Sequence, residues 1–111
     1  MKPVINSSEY ESIIINSKEF KNHVVIYSSG EIIEANIRHE LHRDFVEKYL
    51  KEDIELLIIG TGTSGCVKVF EGVKHLAEEK GIELIIDETP EACYQFNKSS
   101  KRAVALIHIT C

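Results

Sequence analysis

The run Leu56-Leu57-Ile58-Ile59-Gly60-Thr61-Gly62-Thr63-Ser64-Gly65-Cys66-Val67 constrains the fold of this chain more than any other stretch. Four consecutive aliphatic residues leave no polar alternate positions, so as a strand the segment must be covered on both faces. Gly60 is expected to end it. Beyond the three glycines, spaced G-x-G-x-x-G, Val67, Phe70, Val73, Leu76 and Ala77 recur at helical spacing, and Gly81 supplies a stop. Ile82 to Ile86 is the next apolar run. Together these predict a strand, helix, strand unit with parallel strands and a right-handed crossover.

The segments on either side extend the pattern. Ser12–Asn16, Asn22–Tyr27 and Ile32–Ile37 read as β-branched strands, the last two joined by a hairpin in which Gly30 takes a positive φ. Short connections imply antiparallel pairing in this portion. From Glu40 to Lys51, Phe45, Val46, Tyr49 and Leu50 form one stripe of an amphipathic helix. Thr89-Pro90 offers an N-cap and an N1 proline for a last helix with Ala92, Cys93 and Phe96 on its apolar face, and Ala103 to Ile109 closes the chain as a strand. The expected order is β-β-β-α-β-α-β-α-β. It describes one α/β domain over residues 1–111 in three layers, with a central mixed sheet covered by helices: antiparallel N-terminal strands, then β-α-β-α-β.

Composition narrows the function classes. A chain of 111 residues with 43% hydrophobic and 28% charged residues can bury one ordinary core. A formal charge of -5 with no basic block disfavours nucleic acid, whose phosphates need clustered Lys and Arg; Lys98, Lys101 and Arg102 read as a solvated loop. The longest apolar runs are strand-sized, which leaves no membrane span, and Met1–Asn6 has no signal-peptide apolar region. Three widely spaced cysteines, Cys66, Cys93 and Cys111, argue for reduced thiols rather than a disulfide framework, and hence for a soluble cytoplasmic protein.

The glycine loop admits three readings. As a dinucleotide fingerprint it has its local context, including Asp87 about 20 residues on, but three strands and a helix precede it and too few residues follow for a second half. Walker-type and nucleophile-elbow readings fail on spelling, because Gly65 is followed by Cys66 and Val67. The structural reading is a strand-to-helix hinge that uses glycines for positive φ and close helix packing. Cys66, placed at the expected helix N-terminus, is either a thiol of lowered pKa or a small apolar residue packed behind the loop.

Elsewhere the chemistry is thin. His39-Glu40-Leu41-His42 is one residue short of a zinc-protease pair, so no metal site is expected, and nothing calls for a cofactor. His108 and Thr110 share a face of the last strand if its pairing persists, and a histidine there reads first as a satisfied core group.

In combination, Leu57–Gly62, Gly81-Ile82-Glu83, Thr89-Pro90-Glu91-Ala92 with Phe96-Asn97, and His108–Cys111 resemble the small uncharacterised single-domain family that includes a mitochondrial respiratory complex I assembly factor and an adipogenesis-associated human protein. That resemblance implies a three-layer α/β fold around a mixed sheet rather than a Rossmann domain, and it brings no established enzymatic activity. It marks Gly60, Thr61, Gly62, Gly65, Thr89, Ala92, Asn97, His108 and Thr110; Cys66 is not part of its pattern. The mitochondrial role does not transfer, since Met1–Tyr10 has no Arg and contains Glu9.

The expectation is therefore a non-enzymatic binding or protein-assembly domain, with no catalytic residues assigned. Its contact surface would be formed by Gly60, Thr61, Gly62, Gly65, Thr89, Asn97, His108 and Thr110, toward a protein partner or a second copy of itself. The alternative is a small-molecule enzyme binding an anionic ligand at the Gly60–Cys66 loop and the helix N-terminus that follows.

Overall fold

The computed structural model describes residues 1–111. Its centre is a five-stranded mixed sheet. β4 (Val24–Tyr27), β7 (Leu56–Thr61) and β10 (Ala103–His108) are its inner strands, with β5 (Ile32–Glu34) and β9 (Glu83–Asp87) at the edges, in the order β5-β4-β10-β7-β9. β10, β7 and β9 run parallel; β4 and β5 are antiparallel to their neighbours. The β4–β5 turn is the expected hairpin, with Gly30 at φ 122.

Side-chain alternation explains why both faces are covered. Ile26, Leu56, Ile58, Ala105 and Ile107 point to one face; Val25, Leu57, Ile59, Val104 and Leu106 point to the other, and all ten are buried. The first face packs against Ala92, Cys93 and Phe96 of α3 (Thr89–Lys98) and against Ile5, Ile13 and Ile15. The second packs against Val46 of α1 (Arg43–Glu47) and against Val73 and Leu76 of α2 (Glu71–Lys80). The result is one three-layer α/β domain with antiparallel N-terminal strands followed by β-α-β-α-β.

Four features correct the expectations from sequence. First, the N-terminal strands lie outside the central sheet: β1 (Ile5–Glu9), β2 (Ser12–Ile15) and β3 (Lys18–Phe20) form a separate antiparallel sheet beside α3, so β2 does not pair with β4. β1 and β3 are mostly polar and exposed, and carry no apolar alternation to reveal them.

Second, the helix expected over Glu40–Lys51 is a short α1. Glu40–Leu41 is instead strand β6, paired in parallel with β8 (Lys68–Val69). At its far end α1 unwinds through i to i-3 bonds, Tyr49 N–H to Val46 O at 3.0 Å and Leu50 N–H to Glu47 O at 3.2 Å, and the Tyr27 hydroxyl donates to the Tyr49 carbonyl at 2.7 Å.

Third, the glycine loop does not open a helix. Val67 N–H returns to Thr61 O at 3.0 Å, Lys68–Val69 joins the β6 ladder, and α2 begins only at Glu71. The helix N-terminus invoked for an anion at Gly62–Cys66 is therefore absent from that place. Gly60 does not end β7 either; it pairs with Ile107 on one side and Asp87 on the other.

Fourth, Cys66 and Cys111 form a disulfide, with Cα atoms 5.7 Å apart, against the expectation of reduced thiols. Cys66 is exposed rather than packed behind the loop. The two residues are 45 positions apart, and only the fold brings them together.

Candidate functional site at the carboxyl end of the parallel strands

Seven of the eight residues singled out from sequence meet where β7 and β10 end. Gly60 is there for close approach: a Cβ on it would lie 3.0 Å from Thr89 Oγ1, 3.1 Å from Ile107 Cδ1 and 3.3 Å from Ala92 Cβ, so α3 sits directly on the strand. Thr89 is not the N-cap, a place held by Glu88 without a side-chain bond. Its buried hydroxyl instead donates to His108 O at 2.6 Å and accepts from Gly62 N–H at 2.9 Å, while Thr89 N–H donates to Gly62 O at 3.0 Å. The Thr61 hydroxyl donates to Asp87 O at 3.0 Å. One threonine thus ties the ends of β7 and β10 to the start of α3.

Gly62, at φ 106, lets the last residues lie flush on the loop; a Cβ there would be 2.4 Å from Thr110 O. Thr63 N–H donates to Thr110 O at 3.3 Å and Ser64 N–H to the Cys111 main-chain oxygen at 2.6 Å, and Gly65 N–H turns back to Gly62 O at 3.2 Å. Gly65 lies against Glu88. The loop amides at 62, 63, 64, 65 and 67 all have acceptors within the protein.

Asn97 stands apart, about 12 Å along the α3 axis from Thr89 by helical rise. Its Oδ1 accepts from Ile5 N–H at 2.9 Å and its Nδ2 donates to Ile5 O at 2.8 Å, which joins β1 to the helix as a neighbouring strand would.

The structure adds what the sequence did not show: three histidines meet at this end. His23 precedes β4, His39 precedes β6 and His108 ends β10. His23 and His108 stack at 3.9 Å between ring centroids, and His39 meets His108 edge-on at 4.8 Å. His23 Nδ1 accepts from Ile109 N–H at 2.9 Å, so its neutral form carries the proton on Nε2. His108 Nδ1 lies 3.1 Å from Thr110 O, a carbonyl that can only accept, so this ring carries its proton on Nδ1. Burial first, then His108 and His39, push the His23 pKa down to about 4. Burial also lowers that of His108, opposed by the Thr110 carbonyl. The rings meet by faces and edges, and no group of three His, Cys, Asp or Glu side chains is placed to hold a metal ion. The spacing 23, 39, 108 carries no motif.

Beside the stack lies an open concavity of about 470 Å³, lined by Glu11, Lys21, Asn22, His23, Asn36 and Thr110 among others. Glu34 at its edge accepts from Asn22 Nδ2 at 2.7 Å. Cys93, the one free thiol, is buried on the inner face of α3 with its pKa pushed up to about 11 by that burial. No helix is long and apolar enough to cross a membrane.

A mixed five-stranded sheet between a helix with a small sheet and two further helices, with its polar junction at the carboxyl ends of the parallel strands, defines a Mth938-like α/β domain. The chain belongs to the DUF498/DUF598 family of proteins of unknown function, whose profile matches residues 5–109. It is similar to a conserved hypothetical protein from Pyrococcus horikoshii, at 34% identity over all of both chains with a TM-score of 0.88. Two more distant structures share the fold. One is an outer membrane protein from Bartonella henselae, at 21% identity over 99% of this chain and 97% of that one, TM-score 0.83. The other is a Mth938-like domain from Bordetella pertussis, at 11% identity over 96% and 85%, TM-score 0.74. No functionally curated protein matches the chain.

Proposed function

We propose that this chain is a non-enzymatic binding domain whose contact surface is the end of the sheet where β7 and β10 terminate. The observation that carries the reading is the open concavity beside the His23–His108 stack, where exposed Lys21, Glu11 and Asn36 surround a polar floor. Pockets for small molecules are predominantly apolar and enclosing. A shallow surface of mixed charge suits a protein partner, including a second copy of this chain.

Two further facts support binding over catalysis. Burial raises the pKa of the Cys93 thiol far above neutral, and in the disulfide form the other two cysteines are joined to each other, so no thiol nucleophile faces the histidines in that form. The glycine loop also spends its amides on internal acceptors, so an anionic ligand there would have to displace Thr110 and Cys111.

The test uses two exposed positions whose replacement leaves the core alone, Lys21→Glu and Asn36→Arg. A partner recovered in fixed stoichiometry with the wild-type chain should be lost with the double variant, at unchanged melting temperature. Equal recovery by both proteins, or a chain that stays monomeric in light scattering and retains nothing, would sink the reading.

A further inference from the structure

We propose that the Cys66–Cys111 disulfide is a thiol–disulfide exchange site that latches Thr110 and Cys111 over the glycine loop, with a dithiol reductant as its co-substrate. Cys66 is exposed and Cys111 is half-buried, so a thiolate from solvent can reach the Cys66 sulfur. Exposed disulfides are the exchangeable ones, whereas buried ones resist reduction. The reductant thiolate attacks Cys66 Sγ, the bond to Cys111 Sγ breaks, and Cys111 leaves as a thiolate that takes a proton from water. The second thiol of the reductant then displaces Cys66, which is protonated in turn. Two electrons and two protons pass to the protein, and the dithiol becomes a disulfide.

The geometry fixes what moves. Ile109 is buried and held at both main-chain groups: its N–H donates to His23 Nδ1 at 2.9 Å, and its carbonyl accepts from Glu11 N–H at 2.8 Å. The hinge therefore falls after Ile109. Beyond it, the acceptor contacts are Thr110 O with Thr63 N–H and His108 Nδ1, and the Cys111 oxygen with Ser64 N–H. Cys111 is also held at φ 63, a left-handed conformation that side chains of its chirality adopt rarely, and reduction releases it. Opening frees two consecutive loop amides and bares Gly62, against which the segment had packed.

The latched residues indicate what replaces them. They bring two main-chain oxygens, those of Thr110 and Cys111, to the Thr63 and Ser64 amides, so a peptide segment that replaces them must turn two carbonyls toward the loop. Asp87 and Glu88 flank the loop, so a neutral or basic segment fits there and an acidic one is repelled. Opening thus adds the loop amides to the contact surface proposed above, and this consequence rests on that reading.

Two measurements test the latch without any partner. Under native conditions a low concentration of dithiothreitol followed by iodoacetamide should label Cys66 and Cys111 and leave buried Cys93 unmodified. Labelling that needs denaturant overturns the proposal. Hydrogen exchange of the reduced wild type, and of Cys66→Ser without reductant, should show Thr63 and Ser64 amides exchanging at least about tenfold faster while β7 and β10 stay protected. Unchanged protection at those two amides, or loss of protection throughout the domain, also overturns it. Partner capture by both forms then separates the two readings. A latch that opens while no partner is retained leaves the exchange site standing and removes the contact surface. Capture by the oxidised form alone contradicts the link between them.

Discussion

The imidazoles of His23 and His108 stack with ring centroids 3.9 Å apart and their planes 19° from parallel. Rings in that contact cannot both be protonated without placing like charges face to face, and His39 adds a third ring to the same corner.

Stability should therefore fall on mild acidification. The unfolded chain protonates a histidine near pH 6.5, whereas folded His23 holds off until about pH 4. The protein is thus most stable above the unfolded value, loses stability as pH falls through that window, and loses no more from this group below about 4. The ring is partly solvated, so the loss is on the order of 1–2 kcal/mol. His23→Gln can keep an acceptor for Ile109 N–H and removes the titration. Because burial also lowers the His108 pKa, the difference between urea midpoints on either side of the window should shrink in the variant rather than vanish; an undiminished difference would refute the assignment.

Thr89 should be the most sensitive polar residue. Thr89→Val keeps the shape but leaves Gly62 N–H and His108 O without their buried partner, at a cost of about 2–4 kcal/mol. Thr89→Ser retains the hydroxyl and should lose only about 1 kcal/mol with the methyl group. Equal costs in denaturant unfolding would show that the hydroxyl does not tie the strand ends together.

Gly60 and Gly62 should respond to alanine for different reasons. Gly60→Ala crowds side-chain atoms, costs about 1–3 kcal/mol, and should be partly relieved by Ile107→Val, which removes the Cδ1 atom 3.1 Å away. Gly62→Ala meets a main-chain oxygen at 2.4 Å in a left-handed conformation, so no side-chain change restores it. A double-mutant cycle reads the coupling at Gly60, and an additive result there would count against the close-approach account.

Asn97 should govern the N-terminal sheet rather than the site. Asn97→Ala removes both bonds to Ile5 and should cost about 1–3 kcal/mol, with faster amide exchange confined to β1 and its partner β2. Faster exchange at the His108 end of β10 would contradict the separation of Asn97 from the other seven residues.

The legible part of this protein is where apolar pattern and local turn chemistry agree. Leu56–Ile59, Ala103–Ile109, Gly30 and Thr89-Pro90 announced two central strands, a hairpin and the start of α3, because burial and backbone conformation are set by a few neighbouring residues. The same logic missed β1 and β3. Polar strands such as Asn6–Glu9 exist because a partner strand, not a core, completes their hydrogen bonds. It also placed a helix start at Val67, whose apolar side chain is buried as expected but through a loop and the β8 bridge.

Of the candidate site, the sequence marked Gly60, Gly62, Thr89, His108 and Thr110, and the fold gathers them at one end of the sheet. It could not mark His23 and His39 as partners of His108, nor Cys66 as the partner of Cys111. By itself the sequence determined which segments must be buried and where the backbone can turn sharply, since those are properties of neighbours along the chain. Only the tertiary structure decided which distant side chains meet. The antiparallel register of β4 on β10 carries His23 onto His108, and the parallel register of β10 on β7 carries Cys111 to the glycine loop.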